Sequence, residues 1–318
     1  MVHAASRPDV LVVGAGVIGL TTAWVLRDRG MKVEVWSREA PTDSVSAVAG
    51  AIWYPFLAEP RERVLGWSAS TFARLGELAR LPGSGVRMQR VTEVFTTAEP
   101  ELWWQAAVGR IERLPAARVP PPYRAAITLE VPVCATPVHL PWLVARLEQR
   151  GVGFVRREVR SLDEAFERAP RVVNCTGLGA RELCQDAAMQ AVRGQVLVVE
   201  RVPGVEAWID GTGAQPFYVI PRGDDVVLGG TSQAGDERLV SDAQDSASIL
   251  AGLAARVPAL AFVVVRRVRV GLRPYRRTVR LEAEAHRAGR LVHNYGHGGS
   301  GYTLAWGCAA EVAQLLEG

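Results

Sequence analysis

Lysine is almost missing from this 318-residue chain, because Lys32 is the one lysine among 37 basic residues. The basic residues exceed the acidic ones by only four. Nucleic-acid binding needs basic charge gathered on one face, and the arginines are spread along the chain apart from one cluster between Arg266 and Arg280. We therefore expect no nucleic-acid partner.

Long apolar runs are also missing. None approaches the roughly 18 residues that span a bilayer. The first run, Val10–Val13, is too short for the hydrophobic region of a secretory signal and is typical of a buried strand. We expect no membrane association and a cytoplasmic protein.

Cysteine is scarce, and none of the four cysteines forms a CxxC pair. A chain of this length does not need disulfides, so we expect reduced thiols. His293 and His297 are four residues apart, but Gly296 and Gly298 disfavour a helix there and no further ligand type is close in sequence. The sequence therefore predicts no metal site.

What the chain does contain is a strand–turn–helix–strand pattern at its start. Val10–Val13, Val17–Arg29 and Val33–Trp36 form this βαβ opening, which predicts a parallel sheet. Later strand and helix patterns include a long helix at Glu59–Arg80, a strand at Phe262–Leu272 and a helix capped by Ser241.

Two β-rich blocks interrupt these βαβ signals, which indicates an α/β fold with two domains. We predict a discontinuous Rossmann-like dinucleotide-binding domain from residues 1–55, 139–195 and 267–318. A β-sheet-rich α+β substrate domain would comprise residues 56–138 and 196–266.

The turn after the first strand is a GxGxxG sequence, Gly14-Ala15-Gly16-Val17-Ile18-Gly19. Its glycines permit a tight turn, close approach to a pyrophosphate and close helix packing, and the helix N-terminus attracts the anion. An acidic residue is expected about 20 positions further on. Glu39 lies one or two positions late and Arg38 precedes it, so this turn alone leaves NAD, NADP and FAD open.

Three further segments favour a flavin. Ser44–Pro55 is rich in small residues, which let the backbone lie against a flat ring, and Trp53 could form a wall beside it. Val173–Gly179 is a second strand-to-glycine turn. His293–Thr303 leads a strand through glycines into a helix, whose N-terminus would stabilise negative charge on a reduced flavin.

These segments resemble the D-amino acid oxidase family, which includes D-aspartate oxidase. The matching pieces follow family order along nearly the whole chain: Val13–Leu20, Ala49–Pro55, Asn174–Gly177, Arg193–Gln195, Phe217–Pro221, Leu228–Thr231, Gly271–Pro274, Arg280–Glu282 and His293–Gly301. The resemblance implies FAD, oxygen as the electron acceptor and a two-domain fold.

The resemblance also implies a set of residues that contact FAD. They are Gly14, Ala15, Gly16, Val17, Ile18, Gly19, Arg38, Glu39, Ser44, Gly50, Ala51, Ile52, Val159, Thr176, Gly177, Arg273, Gly298, Gly299, Ser300, Gly301, Tyr302 and Thr303.

An amino acid oxidase must hold the substrate carboxylate rigidly, and an arginine fork does so with two hydrogen bonds. By spacing alone Arg273 is one of seven arginines between 266 and 280, and a solvated or ion-paired face is the alternative. Similarity to the family's Gly-x-Arg-Pro motif favours Arg273. It also implies Tyr218 as a second carboxylate ligand and the Gly299 carbonyl as acceptor for the amino group. Tyr275 and Trp53 are further pocket candidates.

Departures from the family pattern bear on selectivity. The Asp210–Phe217 segment is short, and Ala214 stands near the place of a lid tyrosine in the mammalian members. Ser300 replaces a tyrosine of those members. Ser232 follows Gly229–Thr231 where aspartate-specific members carry arginine, so we favour neutral side chains, with Arg222 as an unassigned nearby cation.

The expected reaction is hydride transfer from the α-carbon of a D-amino acid to the flavin, with no acid or base residue in the chemistry. It would yield a 2-oxo acid, ammonia and hydrogen peroxide. D-aspartate oxidase, a glycine or sarcosine oxidase, a nicotinamide dehydrogenase and a non-catalytic flavin protein are the alternatives. The oligomeric state is open, with a homodimer as one candidate.

Overall fold

The computed structural model of the protein describes residues 7–56, 58–213 and 215–317. Within these residues the strands join into one 14-stranded sheet. The strands are β1 Val10–Val13, β2 Val33–Ser37, β3 Val86–Phe95, β4 Ile111–Arg113, β5 Ala125–Cys134, β6 Gly153–Arg156, β7 Arg171–Asn174, β8 Gln190–Glu200, β9 Ala207–Asp210, β10 Phe217–Pro221, β11 Asp225–Gly229, β12 Gln233–Ala234, β13 Val265–His286 and β14 Gly289–His297.

One end of the sheet is parallel, in the order β14-β7-β1-β2-β6. All four residues of β1 are buried, as expected for a central parallel strand with both faces covered. Because these strands run in the same direction, the turns that follow β1, β2 and β7 and the end of β14 lie at one edge. That edge is where ligands bind in open α/β sheets.

Helices cover both faces of the parallel part. The helices of the described chain are α1 Val17–Asp28, α2 Val45–Val48, α3 Arg61–Leu78, α4 Thr136–Gln149, α5 Leu162–Arg168, α6 Ala180–Leu183, α7 Ala243–Arg256 and α8 Gly301–Glu317, of which α7 packs on β8, β10 and β11 of the antiparallel part. Helices α1, α4 and α8 meet through Trp24, whose ring stacks on Trp142 at 5.6 Å and meets the edge of Trp306 at 5.7 Å. On the opposite face, Phe166 of α5 packs with Leu11 and Trp36.

The other part of the sheet runs β4-β5-β3-β9-β10-β11-β8-β13. Its neighbours are antiparallel except for β3 and β9. Strand β13 is 22 residues long and pairs with β8 on one side and β14 on the other. It thereby joins the two parts and brings its middle, around Arg273, toward the ligand-binding edge.

The α/β class and the antiparallel sheet within residues 84–138 are confirmed. Two local predictions are wrong. Strand β13 begins at Val265 rather than Phe262, whose side chain is 97% exposed. The cap of α7 is Asp242 rather than Ser241, because the Asp242 carboxylate accepts from two backbone N–H groups of the first turn.

The division into two domains remains a prediction, and β13 crosses its boundary at residue 267. All four cysteines are free thiols. No helix in the described part of the chain has the length and apolarity needed to span a membrane.

Candidate functional site

A cavity of about 820 Å³ opens at the carboxyl edge of the parallel strands and continues to the antiparallel part. Nearly all residues predicted to contact the cofactor line it. These are Gly14, Ala15, Gly16, Val17, Ile18, Arg38, Glu39, Ser44, Gly50, Ala51, Ile52, Val159, Thr176, Gly177, Arg273, Gly298, Gly299, Gly301 and Tyr302. Sequence positions far apart therefore meet around one elongated ligand-sized space.

The turn between β1 and α1 is too tight for side chains. A Cβ on Gly14, whose φ is +111°, would lie 2.3 Å from the Cys175 carbonyl oxygen, and a Cβ on Gly19 would lie 1.8 Å from the Gly14 carbonyl oxygen. Gly19 does not line the cavity, so its role is to pack α1 against the turn. The predicted cofactor contact of Gly19 stays a prediction.

The N-terminus of α1 points its first turn at the cavity. The N-cap Gly16 supplies no side-chain acceptor. The Val17 N–H donates to Ser46 Oγ at 3.0 Å, while Ala15, Gly16 and Ile18 line the cavity. Uncapped N–H groups and the helix dipole suit an anion such as a pyrophosphate.

Arg38 and Glu39 follow β2 and line the same cavity. Arg38 Nη2 donates to Glu39 Oε1 at 2.8 Å, and both side chains are about half exposed. The carboxylate can accept from a ribose hydroxyl, and the guanidinium already has a carboxylate partner. This arrangement fits a nucleoside without a 2′-phosphate.

At the other end, residues 50–52 approach the cavity with backbone. A Cβ on Gly50 would lie 2.6 Å from Ile220 Cδ1. Ile52 and Tyr54 line the cavity, whereas Trp53 alternates away from it. Trp53 is 1% exposed and its Nε1 donates to the Ser68 carbonyl. Its predicted place in the pocket is therefore wrong.

Ser300 and Thr303 also do not line the cavity among the described residues. Ser300 Oγ accepts from Phe56 N at 2.8 Å and donates to Phe56 O at 2.7 Å. Thr303 Oγ1 bonds in the same way to N and O of Tyr54, at 3.1 and 2.9 Å. Both hydroxyls hold residues 54–56 against the start of α8, and the predicted cofactor contacts of Ser300 and Thr303 stay predictions.

Helix α8 begins at Gly301, directly after the glycines that line the cavity. His297 precedes them, and its Nε2 is buried with no hydrogen-bond partner in the described part of the chain. Burial lowers the pKa of His297 to about 3. The imidazole is therefore neutral at physiological pH, and the charge facing a ligand here comes from the helix terminus.

Arg273 stands where β13 passes the cavity. Its Nη1 donates to the Thr231 carbonyl at 3.0 Å, and it forms no ion pair within the described ranges. By contrast, Arg266, Arg276, Arg277 and Arg280 of the same cluster are paired with carboxylates. The unpaired guanidinium in a cavity is placed to receive an anion.

Glycines make room for the side chains of Arg273 and Tyr218 where the cavity meets the antiparallel part of the sheet. A Cβ on Gly194 would lie 2.4 Å from Arg273 Nη1. Tyr218 lies opposite Gly229 in the β10–β11 pair, and a Cβ there would lie 2.0 Å from its ring carbon Cζ. Tyr218 and Gly299 line the cavity with Arg273.

Tyr275 is not among the residues that line the cavity in the described chain, whereas the neighbouring Pro274 is, so the substrate role of Tyr275 stays a prediction. Ala214 lies outside the described residues. Gly211 and Pro216 of the same short segment line the cavity.

One pair was missed by sequence reasoning. Tyr54 lines the cavity, and its hydroxyl donates to Glu93 Oε1 at 2.5 Å. Glu93 is 3% exposed, and burial raises the pKa of its carboxyl to about 7. A glutamate at an inward position of a strand was the available signal, because such a residue needs a buried partner.

A family model described as FAD dependent oxidoreductase matches residues 9–315. The chain belongs to this family. The turn after β1, the carboxylate of Glu39, the backbone at residues 50–52 and the N-terminus of α8 fit the pyrophosphate, ribose and ring of FAD, so FAD is the cofactor.

Two relatives of this FAD-dependent family are similar over nearly their whole length. The D-amino-acid oxidase of Rubrobacter xylanophilus is 44% identical over 309 residues, which cover 96% of this chain and 94% of that protein. The D-amino-acid oxidase of Streptomyces coelicolor is 42% identical over 312 residues, with 96% of each covered. Glycine oxidase from Geobacillus kaustophilus has the same fold, with a TM-score of 0.81 at 20% identity over 98% of this chain and 95% of that one.

Proposed function

We propose that this protein is an FAD-dependent oxidase of D-amino acids with neutral side chains. The observation that carries the proposal is the unpaired guanidinium of Arg273 beside Tyr218 in the cavity. The D configuration is supported by relatives named D-amino-acid oxidase at 44% and 42% identity.

The chain's own residues bind and orient the substrate. Arg273 donates two N–H groups to the α-carboxylate, and the Tyr218 hydroxyl donates a further hydrogen bond to it. The Gly299 carbonyl accepts from the amino group, which reacts in its neutral form. When bound, FAD would supply the redox chemistry: it would take up the hydride of the α-carbon, with oxygen as the final electron acceptor reduced to hydrogen peroxide, and the resulting imino acid would hydrolyse to a 2-oxo acid and ammonia. The protein thus contributes orientation and electrostatics.

Neutral side chains are favoured because no second cation is in place for a side-chain carboxylate. Arg222 is occupied by Asp225, to which it donates twice at 2.9 and 2.8 Å, and by Thr136. It does not line the cavity in the described structure, and Ser232 stands where an arginine would serve D-aspartate. The other cations of the lining, Arg38, Arg157 and Arg160, belong to the β2 end.

The finer assignments belong to the same proposal. The cofactor contacts are the lining residues from Gly14 to Tyr302 named above, and the substrate contacts are Arg273, Tyr218 and Gly299. We also propose a cytoplasmic location, which the four free thiols support. A homodimer stays a prediction.

The test is peroxide production by the purified holoenzyme with matched substrates: D-alanine, L-alanine, D-aspartate and glycine. D-alanine should give the highest kcat/KM. Higher activity with glycine would favour a glycine oxidase, and higher activity with D-aspartate would favour the acidic class. Activity with L-alanine alone would refute the proposal.

Arg273→Ala removes the guanidinium that would hold the substrate carboxylate. It should lower kcat/KM by the factor that corresponds to losing several kcal/mol of transition-state stabilisation. Arg267→Ala is the matched control, because Arg267 is an exposed arginine of the same strand. Equal activity of the two variants would contradict the assigned role of Arg273.

A further inference from the structure

Glu93 is a buried carboxyl with one oxygen in use and one free. Its Oε1 accepts the hydrogen bond from the Tyr54 hydroxyl, while Oε2 has no partner among the described residues. Burying an acceptor without a partner costs free energy, so Glu93 destabilises the folded state at this position. Because this oxygen is buried and Glu93 does not line the cavity, the carboxyl would act on a ligand through its charge and not through direct contact.

The sheet register places Glu93 near the substrate end of the cavity. Glu93 of β3 lies opposite Ile209 of β9, and Ile209 lies opposite Tyr218 of β10. Residues directly opposite one another share a face of the sheet, and both Ile209 and Tyr218 line the cavity. Glu93 is therefore on the same side of the sheet as the cavity, two strands and roughly 10 Å from Tyr218, and it lies behind the lining residue Tyr54.

The strand neighbours of Glu93 are apolar, and its hydrogen-bond partner is Tyr54. Its two strand neighbours are Ile127 on β5 and Ile209 on β9. Within the described ranges it has no ion-pair partner, and Tyr54 is the titratable group in contact with it. Since Arg273 is committed to the α-carboxylate, the charge that a substrate side chain meets at this end is that of Glu93.

We propose that the charge of Glu93, held behind the cavity-lining Tyr54, determines side-chain selectivity by favouring substrates whose side chain ends in a cation and disfavouring acidic ones. This inference rests on the proposed function in one respect, that Arg273 holds the α-carboxylate. It extends the proposed substrate class from neutral side chains to neutral and basic ones.

The expected size follows from Coulomb's law. A unit charge about 10 Å from another, at an effective dielectric constant of about 20, changes an affinity about tenfold. The effect has opposite signs for a cationic and an anionic ligand end. Removing the Glu93 charge should therefore change the ratio of the two affinities by about 100-fold.

Three carboxylic acids without an α-amino group serve as probes, because they bind without reacting. They are pentanoate, 5-aminopentanoate and glutarate, whose far ends are neutral, cationic and anionic. Their dissociation constants are measured on the holoenzyme through the flavin absorbance, at pH 8.5, for wild type, Glu93→Gln and Glu130→Gln. Glu130 is the control, an exposed glutamate on the adjacent strand β5.

In Glu93→Gln, 5-aminopentanoate should bind more weakly and glutarate more tightly, with pentanoate little changed. Glu130→Gln should behave as wild type. An affinity ratio that is the same in Glu93→Gln and wild type would overturn the inference.

Wild type alone provides a second test that does not depend on the variant folding. The ratio of 5-aminopentanoate to glutarate affinity should rise between pH 6 and pH 8.5, because the carboxyl of Glu93, with a pKa of about 7, ionises in this range. A flat ratio would overturn the inference. Peroxide from D-alanine is assayed separately, so failure of the proposed function is recognised independently of either result.

Discussion

Alanine at position 194 would displace the Arg273 guanidinium while leaving its charge in the protein. A Cβ on Gly194 would lie 2.4, 2.5 and 2.6 Å from Nη1, Cζ and Nη2 of Arg273. The backbone of Gly194 has no positive φ, so alanine is compatible with it. The crowded atoms belong to the end of a flexible side chain, which means that the guanidinium moves and the fold is retained.

The magnitude follows from this contact. An ordinary van der Waals contact begins at 3.4 Å, so Nη1 must withdraw by about 1 Å. A misplacement of about 1 Å can reduce catalysis about 100-fold, which corresponds to about 2.7 kcal/mol. We expect Gly194→Ala to lose about this much in kcat/KM for D-alanine.

The assay is peroxide-coupled kinetics, with flavin absorbance and thermal unfolding recorded on the same samples. Gly66→Ala on α3 is the control, because a Cβ there meets no atom within 4 Å. Both variants should retain FAD and unfold near the wild-type temperature. Near-normal kcat/KM in Gly194→Ala would refute the reasoning that Arg273 works in its observed position.

Two further predictions concern the cofactor turn and the core. Gly19→Ala should prevent FAD retention and lower the melting temperature, because its Cβ would lie 1.8 Å from the Gly14 carbonyl oxygen; a yellow protein of normal Tm would contradict this. Burial lowers the pKa of His139 to about 4, below its value of about 6.5 in the unfolded chain. The unfolded state therefore binds the proton first, so the free energy of unfolding should fall as pH drops from about 6.5 to about 4. Urea titrations at pH 7 and 5 should show a smaller fall in the free energy of unfolding for His139→Gln than for wild type. An equal fall in both proteins would argue against His139 as the cause of the pH dependence.

The cofactor half of the site could be predicted from local sequence. The turn Gly14–Gly19 follows a buried strand and opens a helix, and this pattern is local enough for the residues themselves to indicate its conformation. Most residues predicted to contact the cofactor line the cavity, because the carboxyl ends of parallel strands meet at one edge of the sheet.

Local sequence did not show which way some side chains point. Trp53 was expected beside the ring, but strand-like alternation turns it into the core and leaves Tyr54 on the cavity. The hydroxyls of Ser300 and Thr303 bind the backbone at residues 54–56. These two contacts join positions about 245 apart in the chain, which no local pattern contains.

By itself, the sequence determined the family, the α/β class and the dinucleotide turn, because these follow from short-range spacing of glycines and apolar residues. Only the tertiary structure decided which unpaired arginine of the cluster lines the cavity and which carboxyl is buried behind Tyr54. Pairing and burial depend on strands that meet in space, as β8 meets β13 at Arg273 and β3 meets β9 at Glu93.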